Sequence, residues 1–79
     1  MPIEIFEDIV LFPNPNNGSF KIRGLFEYAT VFDVLGNMLM EFRGNTDETE
    51  VKLQDHRKGL YFLKIMKEGK FKTFKFVVK

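Results

Sequence analysis

Cysteine and tryptophan are missing from this 79-residue chain, and histidine and serine occur once each, as His56 and Ser19. Without cysteine there is no disulfide and no thiolate chemistry. One histidine without a second imidazole or a thiolate leaves a zinc site almost no ligands, so no metal is expected. Ser19 opens a β-rich run and no motif sets His56 beside it, so the parts of a nucleophilic triad are not assembled. No apolar run approaches the ~18 residues of a membrane helix, and no membrane insertion is expected. Residues 1–8 are acidic and lack the basic flank of a secretory signal peptide. Taken alone, that start reads as cytoplasmic; taken as the end of a linker in a longer precursor, it carries no address. No stretch of ten or more residues shows helical apolar spacing.

What is present is aromatic and β-forming. Ten Phe and two Tyr supply enough large apolar side chain for a small core. The length fits one domain that hides only ~60% of its extended-chain surface, so stability should be modest. Short β-rich runs are separated by turn residues, most of them containing glycine, which predicts strands over about 8–12, 19–23, 27–34, 38–43, 49–53, 60–66 and 70–78. Phe20 and Ile22 alternate with Lys21 and Arg23. Tyr61, Leu63 and Ile65 share one face, as do Phe74, Phe76 and Val78. Lys67-Glu68-Gly69-Lys70 is a hairpin turn in which glycine supplies positive φ. The expected architecture is an all-β, immunoglobulin-like β-sandwich of about seven strands in two antiparallel sheets.

Charge is divided along the chain. Residues 57–79 hold eight basic residues against Glu68, a net of +7, whereas residues 1–56 hold four against ten acids, a net of −6. The run Lys70-Phe71-Lys72-Thr73-Phe74-Lys75-Phe76 interleaves basic and aromatic residues, a composition that can bind single strands by stacking and phosphate contacts. No phosphate loop or RNA-binding aromatic signature accompanies it. Lysines that discourage edge-to-edge pairing are the better reading, and no nucleic acid is expected as partner. Asn45-Thr46-Asp47-Glu48-Thr49-Glu50 resembles a calcium loop only briefly: its sixth position is not glycine and its twelfth would be His56. It reads as a solvated acidic loop, and His56 as an exposed loop residue.

Four motifs stand out. Pro13-Asn14-Pro15 must stop strand pairing, because each proline lacks an N–H and drives the preceding residue towards extended geometry. Asn16-Asn17-Gly18 can then fold back through left-handed backbone. Asp33, ahead of Val34-Leu35-Gly36-Asn37, can accept backbone N–H groups and fix a turn with Gly36 at positive φ. No second carboxylate pairs with Asp33 for acid–base work. Gly59 permits a bulge or close backbone approach where the most apolar strand opens. Tyr61 is expected to be a core tyrosine whose hydroxyl bonds a backbone group at the sandwich edge. Phe76-Val77-Val78-Lys79 ends the chain.

In this order, the motifs resemble the type A C-terminal sorting domain of type IX secretion system cargo: a PNPxxG turn, a V-Y-D-x-x-G hairpin, an A-G-x-Y-x-x-x-I strand and a hydrophobic ending closed by a basic residue. The likeness covers residues 9–79, with 1–8 as the end of a linker. His56-Arg57-Lys58 replaces the family's Leu-Pro-Ala-like approach to Gly59. The resemblance implies a non-catalytic address label without cofactors. It implies a cargo domain ahead of it, passage through the periplasm, then release or display at the cell surface. It implies recognition by the type IX machinery, including an outer-membrane shuttle protein and a cysteine-protease sortase that cuts before Ile9. The recognition residues it points to are Pro13, Asn14, Pro15, Gly18, Asp33, Gly36, Gly59, Tyr61, Val77, Val78 and Lys79. A free terminal strand could add to a receptor's sheet edge. The alternative is a non-catalytic immunoglobulin-like adhesion or spacer module.

Overall fold

A computed structural model describes residues 5–44, 46–53 and 57–79. Seven strands follow in order: β1 (Val10–Phe12), β2 (Ser19–Arg23), β3 (Phe26–Phe32), β4 (Met38–Gly44), β5 (Glu48–Lys52), β6 (Gly59–Lys67) and β7 (Lys70–Val78). They form two antiparallel sheets, β1-β2-β5 and β4-β3-β6-β7. Labelled as immunoglobulin strands, A-B-E faces C′-C-F-G, with the β2–β5 and β3–β6 pairs made by non-consecutive strands. The expected sandwich is the observed one. His56 lies outside the described residues, as does Asn45 of the acidic loop.

Period-two alternation builds the core. In β2 the buried residues are Phe20 and Ile22, and in β6 they are Tyr61, Leu63 and Ile65. With Val31 these are all buried, as their shared faces predict. Val51 of β5 joins the Phe20 and Ile22 layer, and Ala29, Phe76 and Val78 complete the opposing one. Phe76 ties the layers together: its ring centroid lies 4.7 Å from Phe20 across the sandwich and 5.6 Å from Tyr61 beside it, the latter pair stacked. Gly44 has no Cβ because the Phe26 ring fills that space.

The core also draws on Phe6, which is buried ahead of β1, where Ile9 N–H bonds Phe6 C=O at 3.0 Å. Asp8 faces away and accepts a hydrogen bond from Lys67 at 3.0 Å, which holds its carboxyl below the ordinary value. The β6–β7 hairpin closes through a two-residue loop in which both Glu68 (φ 51°) and Gly69 (φ 75°) are left-handed, the requirement of a type I′ turn. The sequence marked only the glycine. The basic third of the chain lies largely on this hairpin and so forms one flank of the four-stranded sheet.

Candidate functional site

All four motifs meet at one end of the sandwich. β1 ends at Phe12, and the chain passes through Pro13 and Pro15, each preceded by a cis peptide bond. Pairing stops there as the prolines dictate. Gly18 takes the left-handed conformation at φ 102°, while Asn16 and Asn17 do not. Asn16 is buried. Its Oδ1 accepts Gly18 N–H at 2.9 Å and its Nδ2 donates to Pro13 C=O at 3.2 Å, so one amide side chain spans the turn.

The same turn grips the end of the chain. Asn16 N–H donates to Val77 C=O at 2.9 Å, and Lys79 N–H donates to Asn16 C=O at 2.7 Å, forming a parallel bridge between Asn16 and Val78. The Asn14 side chain accepts Val77 N–H at 3.0 Å and donates to Lys75 C=O at 3.3 Å. A free terminal strand is therefore not what the structure presents. Val77 has both outward backbone groups occupied, and Val78 is a core residue at 1% exposure. The reason is energetic: an unpaired edge next to a buried valine would leave polar groups poorly solvated, and Asn14 and Asn16 satisfy them. A partner can reach the Val77 and Lys79 side chains, but not these main-chain groups without displacing the turn.

The second motif is a carboxylate-centred turn. Asp33 Oδ1 accepts the N–H groups of Leu35 and Asn37, both at 2.9 Å, and Oδ2 accepts Asn37 Nδ2 at 3.2 Å. Gly36 takes φ 87°. The Asn37 amide, above all, with further bonds from the Asn37 side chain, Leu35 and Gly36, holds the Asp33 carboxyl below its ordinary value despite some desolvation. Its charge is spent on the turn, as the sequence led one to expect.

The third motif packs beside it. Tyr61 lies near the start of β6, and its hydroxyl donates to Arg57 C=O at 2.6 Å and accepts Arg57 N–H at 2.9 Å. This is the tyrosine corner of immunoglobulin-like sandwiches, in which a ring buried at the start of strand F pins the loop upstream. Gly59 has φ 143° and open space where a Cβ would stand. Its role is backbone conformation, and of the bulge or close approach that a glycine here permits, no close approach is made by the described residues.

Between the Asp33 turn and the Arg57–Tyr61 segment lies a groove of about 610 Å³, lined by Leu35, Leu39 and Leu60 with Lys52, Arg57 and Lys58 at its margin. Leu35 is 83% exposed and Val34 62%. Met38, Leu39, Leu60 and Val77 are also exposed at this end. Solvent-facing apolar side chains grouped on turns fixed by hydrogen bonds are the usual composition of an interaction surface. Among the described residues no group of His, Cys, Asp and Glu could hold a metal ion.

The sequence-predicted residues thus divide. Asn14, Gly18, Asp33, Gly36, Gly59, Tyr61 and Val78 shape the end. Pro13, Pro15, Val77 and Lys79 stand at its surface. Asn16, Leu35 and Leu60 were missed. Asn16 occupies a position the family pattern leaves open, and its only advance signal was an amide placed two residues before a glycine.

Comparison with known families places this geometry. The family model of the secretion system C-terminal sorting domain matches residues 10–79. The chain belongs to this family. It carries a type IX secretion C-terminal sorting signal, in a family that is not catalytic, and such a signal implies a secreted or surface-exposed protein. No curated protein matches the chain at a significant level. In this chain the four sequence motifs form one structural unit: each either builds the same end or stands on it.

Proposed function

We propose that the motif-bearing end is the surface read by the type IX machinery, and that an outer-membrane shuttle protein binds it in the folded state. The observation that carries this reading is the clasp of Asn14 and Asn16 on Val77 and Lys79, which joins the first and last motifs in one rigid surface. Recognition then falls to exposed side chains, chiefly Leu35, Leu60, Val77 and Lys79, presented by fixed turns. A cargo domain precedes the chain in the precursor and crosses the periplasm with it. A cysteine-protease sortase removes the sorting domain after passage. Because Phe6 packs in the core, we place the cut ahead of Ile5, within the stretch before Ile9 that the resemblance implied.

The test is export of a folded reporter fused ahead of the domain in a host with a type IX system. The intact domain should carry the reporter outside. Leu35→Glu with Leu60→Glu should trap it in the periplasm, with an unchanged circular-dichroism spectrum and melt. Deletion of Val77 to Lys79 should also trap it, but with a lowered melting temperature, because Val78 is a core residue. Export by the folded double variant would place recognition elsewhere. Failure of the intact domain in several such hosts would favour an adhesion or spacer module.

A further inference from the structure

The clasp covers only half of the β7 edge, and the other half has the marks of a second binding surface. β7 is the outermost strand of its sheet, and its ladder to β6 runs unbroken through nine pairs, from Lys67↔Lys70 to Gly59↔Val78. The outward backbone groups belong to odd-numbered residues, since Val77, Lys79 and the Lys75 carbonyl are the ones bound by Asn14 and Asn16. By the same alternation, Phe71, Thr73 and the Lys75 N–H also face outward. Among the described residues no strand lies across from them.

The remaining edges are poorer templates. β1 has three residues and β5 five. The pairing of β4 shifts register at two points, and such irregularity bends an edge away from a straight partner. The open part of β7 is long, regular and of one charge: Lys70, Lys72 and Lys75 flank Thr73 and a half-exposed Phe71. Lysines repel a second basic edge, so two copies will not pair through β7. They attract an acidic strand.

We propose that the β7 edge from Phe71 to Lys75 accepts an extended acidic segment of a partner protein as an added strand. The Phe71 and Thr73 backbone groups provide the ladder, and Lys70 and Lys75 select carboxylates beside it. The surface lies apart from the motif-bearing end and would work before or after sorting.

The experiment is a nuclear magnetic resonance titration of the 79-residue chain with a blocked seven-residue peptide alternating Glu and Val, against the same peptide with Lys for Glu. The acidic peptide should shift the Phe71, Thr73 and Lys75 amides saturably and slow hydrogen exchange at Phe71 and Thr73. Added salt should weaken the effect. Thr73→Pro deletes an outward N–H, a change tolerated at sheet edges, and should weaken binding by at least about tenfold. Should that variant unfold, Lys70→Glu with Lys75→Glu provides the second arm, which should reverse the preference to the basic peptide. Shifts located elsewhere, equal binding of both peptides, or full binding by folded Thr73→Pro would overturn the proposal. So would concentration-dependent self-association through β5, since the occupant would then be the acidic edge of a second copy. No secretion host is used, so the result is independent of the sorting role.

Discussion

The two ends of the sandwich are held by different means. At the motif-bearing end, side-chain amides, a carboxylate and a phenol bind backbone groups of their own loops and of the terminal strand. The distant end relies chiefly on a two-residue backbone turn, the Phe26 ring against Gly44 and the Lys67–Asp8 ion pair, with a single carboxylate, Glu27, accepting the Glu68 N–H of the turn. Among the described residues the first end leaves Val34, Leu35, Met38, Leu39, Leu60 and Val77 exposed, and the second exposes fewer large apolar side chains. Exposed leucines on a loose loop would collapse or aggregate; held on fixed turns, they remain available to a partner. The polar network at the motif end is therefore best understood as the scaffold of a surface, and its loss should cost both stability and recognition. Changes at the distant end should alter stability without altering export.

The largest expected effect lies at Asn16. Asn16→Leu removes the Gly18 and Pro13 bonds and leaves buried backbone groups unsatisfied, at a cost of about 1–3 kcal/mol. Chemical denaturation should show that loss. Amide exchange at Val77 and Lys79 should also accelerate beyond the change in global stability, because the clasp opens locally. Uniform acceleration would mean that Asn16 is an ordinary core residue and that the two ends do not differ in kind.

Gly36→Val and Gly59→Val probe the same end without touching its side chains. Among the described residues neither site would meet a steric obstacle, so the expected cost is that of positive φ. A β-branched residue there costs on the order of 1–3 kcal/mol. Gly36 sits nearer the populated left-handed region than Gly59 does, and Gly36→Ala should therefore be the milder of the two alanine variants. Unchanged melts for both valine variants would remove the assignment of these glycines to backbone geometry.

Glu68 tests the distant end. A glutamate at φ 51° is disfavoured, and Asn-Gly is the preferred pair for this turn. Glu68→Asn should stabilise the domain by roughly 0.5–1 kcal/mol while leaving export unchanged. The backbone bond from residue 68 to Glu27 Oε1 is retained in the variant. A gain in stability that also altered export would show that the two ends are coupled.

How much of this was legible beforehand follows from the range of each interaction. β2 and β7 were read to the residue, because alternation and flanking turn residues are local signals. The strand expected over 27–34 stops at Phe32, since Asp33 begins its turn one residue before the apolar pattern fades. The strand expected over 8–12 starts at Val10, because Asp8 lies in the turn that follows Phe6. The Tyr61 hydroxyl could be assigned a backbone partner from chemistry alone, though not its identity as Arg57. The Asn14 and Asn16 contacts join residues some sixty positions apart, and no spacing rule encodes them. Nor could the sequence show that Leu35 and Leu60 stay exposed. Leu35 lies in the Asp33 turn and Leu60 on the face of β6 opposite Tyr61, and only the folded end shows what covers them.

The smallest effect, and the sharpest in its condition, concerns Asp33. Its folded carboxyl titrates below the unfolded value of about 3.9, because the charged form accepts three hydrogen bonds at the turn. The charge therefore contributes stability at all pH values above the unfolded pKa. That contribution is lost as pH falls through the lower, folded value. Asp33→Asn keeps an acceptor oxygen and removes the charge. The parent should melt above the variant at neutral pH, with the difference shrinking only below pH ~4 as the parent carboxyl protonates. Asp8 titrates in the same acid range, being lowered chiefly by its bond to Lys67, so a parent melt alone would mix the two ends. Subtracting the Asp33→Asn curve isolates the motif end, and subtracting an Asp8→Asn curve isolates the other. If the Asp33 difference is constant down to pH 2, the turn depends on geometry and not on charge. The contrast between a charge-fixed motif end and a packed distant end then narrows to the amides of Asn14 and Asn16.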